Sequence, residues 1–431
     1  MKKSIFFSLV FLHSSLVFAG NWPQWRGPYL NGSCDEKNLP SAFGPAENVK
    51  WSTPLPGFSA ATPVVWDNYI FLTAADKDST ALYVLCLDAR NGDILWQHQA
   101  ATASVKLAMN NNMATPSPVT DGKQVFFLFG TGDLAAFDFA GKLLWSRQLA
   151  QDHGSFNLKF GYSSSPLLYR DKLYVVVLRQ DTFYPDFASQ PGPLDSILLA
   201  LDTKTGKDLF RHQRPTDAVE ESRDAYTTAI LYQGKKHAEI ILAGGDYVTA
   251  HDPDTGNELW RLGYNPSHKN MQRLIPSAVP GPGLIYAVVP RGGNPLFAIR
   301  EGASGLIKWS ELAWVFDGPT PDVCTPLLYQ NRLYVLDDNK KTLSCLDPQT
   351  GRQIWQDKLG GSAVFRASPT GADDKIYCIN ENGDAFVLAA GDNFKIISRA
   401  SFDSKPTRAS IVAANGCLFI HTADKLYCIS K

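Results

Sequence analysis

Charge of one sign is what this chain most plainly lacks. Its 431 residues carry 41 basic and 42 acidic side chains, charged residues make up only 19%, and the formal net charge is −1. No long basic run breaks that balance, so the electrostatic footprint of a nucleic-acid binder is missing. Past the N-terminus no apolar stretch approaches the about 20 residues that a membrane span requires. Adjacent cysteines and Cys-x-x-Cys pairs are also absent, and the 8 His show no metal-ligand spacing. What the chain does hold is 44% hydrophobic and 12% aromatic residues, with 33 Gly and 27 Pro. That composition excludes disorder and collagen-like sequence, and it points to many short strands joined by many turns.

The one long apolar run lies at the start. Lys2 and Lys3 precede an apolar stretch from Ile5 to Leu12 that continues less strictly to Phe18, and Val17-Phe18-Ala19 leads to a cut before Gly20. This is the three-part form of a secretory signal peptide over residues 1–19, not a membrane anchor. The expected product is exported, periplasmic or secreted, and soluble. With no Cys at the cut it is not a lipoprotein.

Export with 7 cysteines invites a disulfide framework. Yet Cys86, Cys345, Cys378 and Cys428 stand in apolar strand-like runs, where a free thiol serves as a small buried hydrophobe. One bridge is compatible with this pattern; a disulfide scaffold is not.

A repeat organises the rest. Leu87-Asp88-Ala89-Arg90-Asn91-Gly92 leads to Trp96, and the same turn returns at Asp202 to Phe210, Asp252 to Trp260 and Asp347 to Trp355. Eroded copies run from Asp138 to Trp145 and from Glu301 to Trp309, and in all six a Gly stands four residues before the aromatic. Asp opens the turn, Gly supplies a positive φ, and the aromatic docks on the next layer. The steps between aromatics are 49, 65, 50, 49 and 46 residues. The long one holds an insertion, residues 179–195, with Phe183, Tyr184, Pro185, Phe187, Pro191 and Pro193 expected on a surface loop. A worn seventh copy ends near Ile397. An eighth stops after Ile429, one strand short, while Trp51 lies 45 residues before Trp96, in phase with the repeat.

Four strands per unit is the count of a propeller blade. The expectation is therefore an all-β, eight-bladed propeller over residues 48–431, after an extended segment at 20–47. The N-terminal strand around Trp51 completes the last blade and removes two exposed sheet edges. Trp51, Trp96, Trp145, Phe210, Trp260, Trp309 and Trp355 are the expected equivalent blade aromatics.

This repeat with its closing Trp resembles the pyrroloquinoline quinone (PQQ)-type repeat of the quinoprotein alcohol dehydrogenase-like β-propellers, over nearly the whole mature chain. Among them, the architecture resembles BamB, the propeller lipoprotein of the outer-membrane assembly machinery. The opening Asn21-Trp22-Pro23-Gln24-Trp25-Arg26-Gly27-Pro28 and the tract Glu221-Ser222-Arg223-Asp224-Ala225-Tyr226-Thr227-Thr228 are similar to a group of exported PQQ-like proteins. In the dehydrogenases, the resemblance implies PQQ in the central channel over a Trp, against a disulfide of adjacent cysteines and beside Ca²⁺. No adjacent cysteines stand here, and a repeat's name is not evidence of its cofactor. The favoured expectation is a non-catalytic, monomeric binding or scaffold module for a protein, peptide or glycan in the cell envelope, with no cofactor and no metal. The alternative is a quinoprotein dehydrogenase that oxidises an alcohol or sugar with PQQ and calcium.

Other chemical signals dissolve on inspection. Gly130-Thr131-Gly132 precedes strands rather than a dinucleotide-binding helix, and Asp252-Pro253-Asp254-Thr255-Gly256 is the repeat turn rather than a calcium loop. The better candidates are where blades begin, because those loops crowd the channel mouth. Three residues before the small or Pro position of each blade stand Ala60, Thr115, Ser163, Tyr226, Ile275, Val323, Arg366 and Arg408. Arg366, Arg408 and Tyr226 are the expected ligand contacts, with Arg273 and Tyr162 beside them. Asp322 is the one candidate base.

Overall fold

The Asp–Gly turn sets the pitch of the chain. At Asp202, Asp252 and Asp347 the carboxylate accepts the backbone N–H of the residue three further on, at 2.8, 2.8 and 2.9 Å. The Gly that follows has a positive φ, +80° at Gly92 and +67° at Gly206. It also makes room: a Cβ on Gly92 would lie 2.5 Å from Trp51, and one on Gly206 2.6 Å from Trp145. Each aromatic thus lies on the turn of the next unit. Trp51, Trp96, Trp145 and Trp355 donate their indole N–H groups to carbonyls of Ala89, Phe139, Thr203 and Gly391 there, at 2.9–3.1 Å.

The computed structural model describes residues 20–104, 107, 111–185, 192–292 and 294–431, and its strands form eight sheets. Blades 1 to 4 begin at Val64, Val119, Leu167 and Ile230, and blades 5 to 8 at Val279, Leu327, Thr370 and Val412. Each is an antiparallel sheet of four strands, save that blade 4 gains a fifth. Blade 8 is closed as the phase of Trp51 requires: strand Val49–Pro54 pairs with Lys425–Ile429, and Trp51 stands opposite Cys428. The expected signal peptide is outside the described residues. No helix among those residues is long and apolar enough to cross a membrane. All seven cysteines are free and buried.

Blade 5 departs from the expected register. Its outer strand is Trp314–Phe316, with Trp314 opposite Ala298, and Trp314 donates to the carbonyl of Pro348 at 3.0 Å on the next blade's turn. Trp309, expected in that position, begins a short 3₁₀ turn and donates backwards, to Gly263 of blade 4, at 2.8 Å. The cause is the stretch Gly305–Ile307. It leaves blade 5 and adds a parallel fifth strand to the outer edge of blade 4, with Gly305 opposite Trp260. That detour delays the outer strand by five residues.

The insertion also differs from a free surface loop. Arg179, 1% exposed, donates to the carbonyls of His153, Gly154 and Ser155. Tyr184 packs inward and donates its hydroxyl to Asp224 at 2.8 Å. Phe183 is exposed, whereas Phe187 and Pro191 are outside the described residues.

Residues 20–48 form a strap across one face of the ring. Trp22 bridges Val65 of blade 1, and the carbonyl of Pro23 accepts from Thr120 of blade 2. The chain then crosses the axis. Arg26, 1% exposed, donates to the carbonyls of Pro326 and Pro369 in blades 6 and 7 at 2.9 and 2.8 Å. Gly32 and Cys34 pair with Gly371, and Pro40 and Ser41 accept from Tyr377 and Ser398, before the chain enters blade 8. These contacts run from Pro326 and Pro369, at the start of the innermost strands of blades 6 and 7, along those strands to Gly371, below the loops that enter the blades.

Candidate functional site

The innermost strand of each blade has no ladder partner on its axial side, so backbone N–H groups there need another acceptor. Side chains of the neighbouring blade supply it. The N–H of Thr62 donates to the hydroxyl of Ser117 at 2.9 Å, Ser117 to Ser165 at 3.0 Å, and Ser165 to Thr228 at 2.9 Å. Thr228 donates to Ser277 at 2.8 Å, Ser277 to Thr325 at 3.0 Å, and Thr325 to Ser368 at 3.0 Å. Ser410 returns to Thr62 at 3.3 Å. Seven links of an eight-membered circle are thus made, one residue per blade. The signal was present in the sequence, where Ser or Thr stands directly before the small or Pro position in all eight units.

Two residues earlier in each blade comes the ring expected from the repeat. All eight members line one central cavity of about 220 Å³: Ala60, Thr115, Ser163, Tyr226, Ile275, Val323, Arg366 and Arg408. Seven of the hydroxyl circle line it below them, together with Arg273, Asn111 and Phe160. Trp25 of the strap lines it too, so the channel is a cup with an indole at its closed end. Nothing in the repeat announces Trp25, because the strap belongs to no blade.

The guanidiniums at the mouth are paired. Arg366 lies 3.2 Å from Asp338, whose side chain is fully buried, and Arg408 lies 2.7 Å from Glu381. Arg408 also donates to Asn111. Arg273 lies 3.4 Å from Asp322 and 3.7 Å from Glu221, with its guanidinium over the Phe160 ring at 5.4 Å. Lys159 adds a second cation to Glu221 at 2.9 Å. The rim therefore carries four cations against four carboxylates. Asp338 also accepts the N–H groups of Asp322 and Val323, yet burial pushes its acid up to about 6. Buried Nε and Nη1 of Arg273 and Oδ1 of Asp322 have no hydrogen-bond partner.

Not every expected residue reaches the cavity. Tyr226 does, its hydroxyl accepting the N–H of Phe160 at 3.3 Å, and burial raises its phenol well above the ordinary range. Tyr162 does not. It is 1% exposed, donates to the carbonyl of Val176 at 2.9 Å, and packs on Phe156 within blade 3. Being one residue before Ser163 in extended chain, it points to the opposite side. Asp322 sits behind Arg273 rather than on the lumen wall. Asp338, Glu381 and Asn111, which complete the rim, come from other loops of their blades and share no repeat position with the arginines.

The fit to a quinone–metal pair can be judged from the donors present. No group of three or more His, Cys, Asp or Glu among the described residues is arranged to hold a metal ion, and the carboxylates of the rim are already engaged by guanidiniums. Among the described residues, the donors for a metal ion beside a quinone are not assembled.

A family model described as outer membrane protein assembly factor BamB matches residues 45–190 and 244–393. Among curated proteins, the dehydrogenase subunit of the quinone alcohol dehydrogenase of Acetobacter aceti is 27% identical over 195 residues, 41% of this chain and 24% of that protein. The polyvinylalcohol dehydrogenase of a Pseudomonas species is 25% identical over 193 residues, 44% of this chain and 28% of that protein. The match therefore spans about a quarter of either relative. Among solved structures, BamB from Moraxella catarrhalis superimposes with a TM-score of 0.61 at 14% identity, covering 88% of this chain and 98% of that one. The quinohemoprotein alcohol dehydrogenase of Comamonas testosteroni gives 0.65 at 13% identity, covering 96% and 81%. Those two likenesses concern the fold. With its eight closed blades and a model match over more than half its length, the chain belongs to the PQQ-like β-propeller family of the outer membrane assembly factor BamB.

Proposed function

We propose that this chain is an exported, monomeric binding module of the cell envelope, which receives a protein, peptide or glycan at the open face of its propeller and does not transform it. The observation that carries the reading is the cup. A channel lined by one residue from every blade and closed by the strap offers a single entrance, rimmed by Arg366, Arg408, Arg273 and Tyr226. Such a rigid ring of loops is a recognition surface. The family match to BamB favours a partner over a substrate, and the one candidate base, Asp322, lies behind Arg273, 3.4 Å from its guanidinium. No cofactor is part of this reading.

The second reading, a quinoprotein dehydrogenase, draws on the curated relatives, which are named as quinone-dependent and polyvinylalcohol dehydrogenases. One set of measurements separates the two. Purified protein is mixed with PQQ and Ca²⁺, its ultraviolet–visible spectrum recorded, and dye-linked oxidation of alcohols and sugars assayed. Envelope-extract capture is run beside it on wild type and an Arg366→Ala/Arg408→Ala pair. The expected result is no dye reduction and a captured partner that the double variant loses. Dye reduction that depends on added PQQ would overturn the binding reading.

A further inference from the structure

Resting on the reading of the open face as a binding site, we infer that the ligand entering the cup is an uncharged sugar ring, the end of a neutral glycan, seated against Trp25.

Three features of the cup converge on that chemistry. The first is its floor. Trp25 is partly exposed into the cavity, and its indole N–H has no partner among the described residues. Indole offers the apolar surface on which the C–H face of a sugar lies, and a donor at its edge. The second is the wall. Each linked hydroxyl of the circle accepts a neighbour's N–H, which leaves it a proton to donate and one lone pair. Ser117, Ser165, Thr228 and Ser368 donate to nothing among the described residues, and they present a collar of O–H donors to the lumen. Hydroxyl and ring oxygens of a sugar are fitting acceptors.

The third feature is the rim, and it decides the charge of the ligand. A carboxylate ligand would gain from the guanidiniums but would sit beside Asp338 and Glu381, at 3.2 and 2.7 Å from them, and a rim of four cations and four carboxylates gives it no net attraction. A cation would meet the guanidiniums in the same way. A neutral polyol meets neither obstacle, because each of its hydroxyls both donates and accepts. Paired Arg and carboxylate side chains serve both roles at once. The cavity, about 220 Å³, is on the scale of one ring rather than a folded segment.

The test is calorimetric titration of the mature protein with cellobiose, maltose and chitobiose, against galacturonate and PQQ as anionic probes. At least one neutral disaccharide is expected to bind, with an affinity about tenfold lower in Trp25→Ala and largely kept in Trp25→Phe, a ratio of about 1.4 kcal/mol. Melting curves of both variants guard against misfolding. Glu381→Gln frees Arg408 of its counter-charge without changing shape, and it should shift preference towards galacturonate. Tighter binding of galacturonate or PQQ than of any neutral sugar by the wild type would overturn the inference, as would an unchanged affinity in Trp25→Ala. If no saccharide binds but Arg366→Ala/Arg408→Ala still loses a captured partner, the sugar falls and the binding module stands. If nothing engages the open face, both fall.

Discussion

Asp224 has no exposed surface, and its carboxyl accepts the Tyr184 hydroxyl at 2.8 Å and the N–H of Gln180 at 2.9 Å. Burial nevertheless dominates and pushes its acid from the ordinary 3.8 up to about 7, with nearby Glu221 adding in the same direction. The folded protein thus keeps a proton there that the unfolded chain has released, across the whole interval between those two values. Stability supplied by this group is full below the ordinary carboxylate range and is lost as pH rises towards 7. Asp338, raised to about 6, acts in the same sense. His251 and His421, lowered to about 4 by burial, act in the opposite one and cost stability as pH falls below 6.5. Asp224→Asn keeps an acceptor for Gln180 and removes the titration. Its unfolding free energy should therefore fall less than that of the wild type between pH 5 and pH 7, by on the order of 1 kcal/mol. Urea denaturation at each pH measures it, and parallel profiles for the two proteins would refute the assignment. The tract 221–228 attracts notice in the sequence, but only Tyr226 could be placed by register. The burial of Asp224 depends on Tyr184 folding back from an insertion in another blade, which no local pattern announces.

At the scale of elements, blade 5 shows where repeat arithmetic is sound and where it slips. The turn chemistry was legible because Asp, Gly and the aromatic solve one local problem in blade after blade. Glu301 to Trp309 satisfies the same spacing by coincidence, since Gly305 serves the strand that crosses to blade 4. The true steps across blade 5, 54 residues from Trp260 to Trp314 and 41 from Trp314 to Trp355, average to the ordinary pitch, so a count of residues cannot expose the exchange. The structural test is the next turn: a Cβ on Gly351 would lie 2.5 Å from Trp314. Trp314→Ala should accordingly cost about 3–5 kcal/mol, as loss of a buried indole on a glycine platform does. Trp309→Ala removes a half-exposed ring and should cost clearly less. Chemical denaturation of both variants compares them directly, and a larger loss for Trp309→Ala would return that residue to the structural role the repeat suggested. The hydroxyl circle was written in the sequence as well. Locally it carries no signal, because Ser or Thr before Pro is common in turns, and only the closed ring gives these residues a shared purpose.

The whole molecule is held shut twice, by two adjoining parts of one N-terminal segment with different duties. Strand Val49–Pro54 closes the ring: it pairs along Lys425–Ile429 and places Trp51 on the turn of blade 1, joining the last blade to the first. Without it Lys425–Ile429 becomes an open edge, and the face of blade 8 against blade 1 loses its clamp. The strap before it has another task. Trp22, Leu39 and Phe43 are buried against the apolar core of blades 1, 7 and 8 and Arg26 bonds to carbonyls of blades 6 and 7, but all of them cover blades whose ladders do not depend on them. A propeller is a closed array in which each blade leans on its neighbours, so loss of one junction spreads while loss of a cover does not. Two truncations, each starting from residues 20–431, should therefore behave differently. Removal of residues 20–54 is expected to abolish the cooperative melt and produce aggregate. Removal of residues 20–45, which keeps the closing strand, should leave a monomer with a single cooperative transition at a lower temperature and a channel open at both ends. Circular dichroism melts and size-exclusion chromatography of the two decide the matter. If both truncations aggregate, the strap is part of the closure; if both melt cooperatively, Trp51 does not hold the ring.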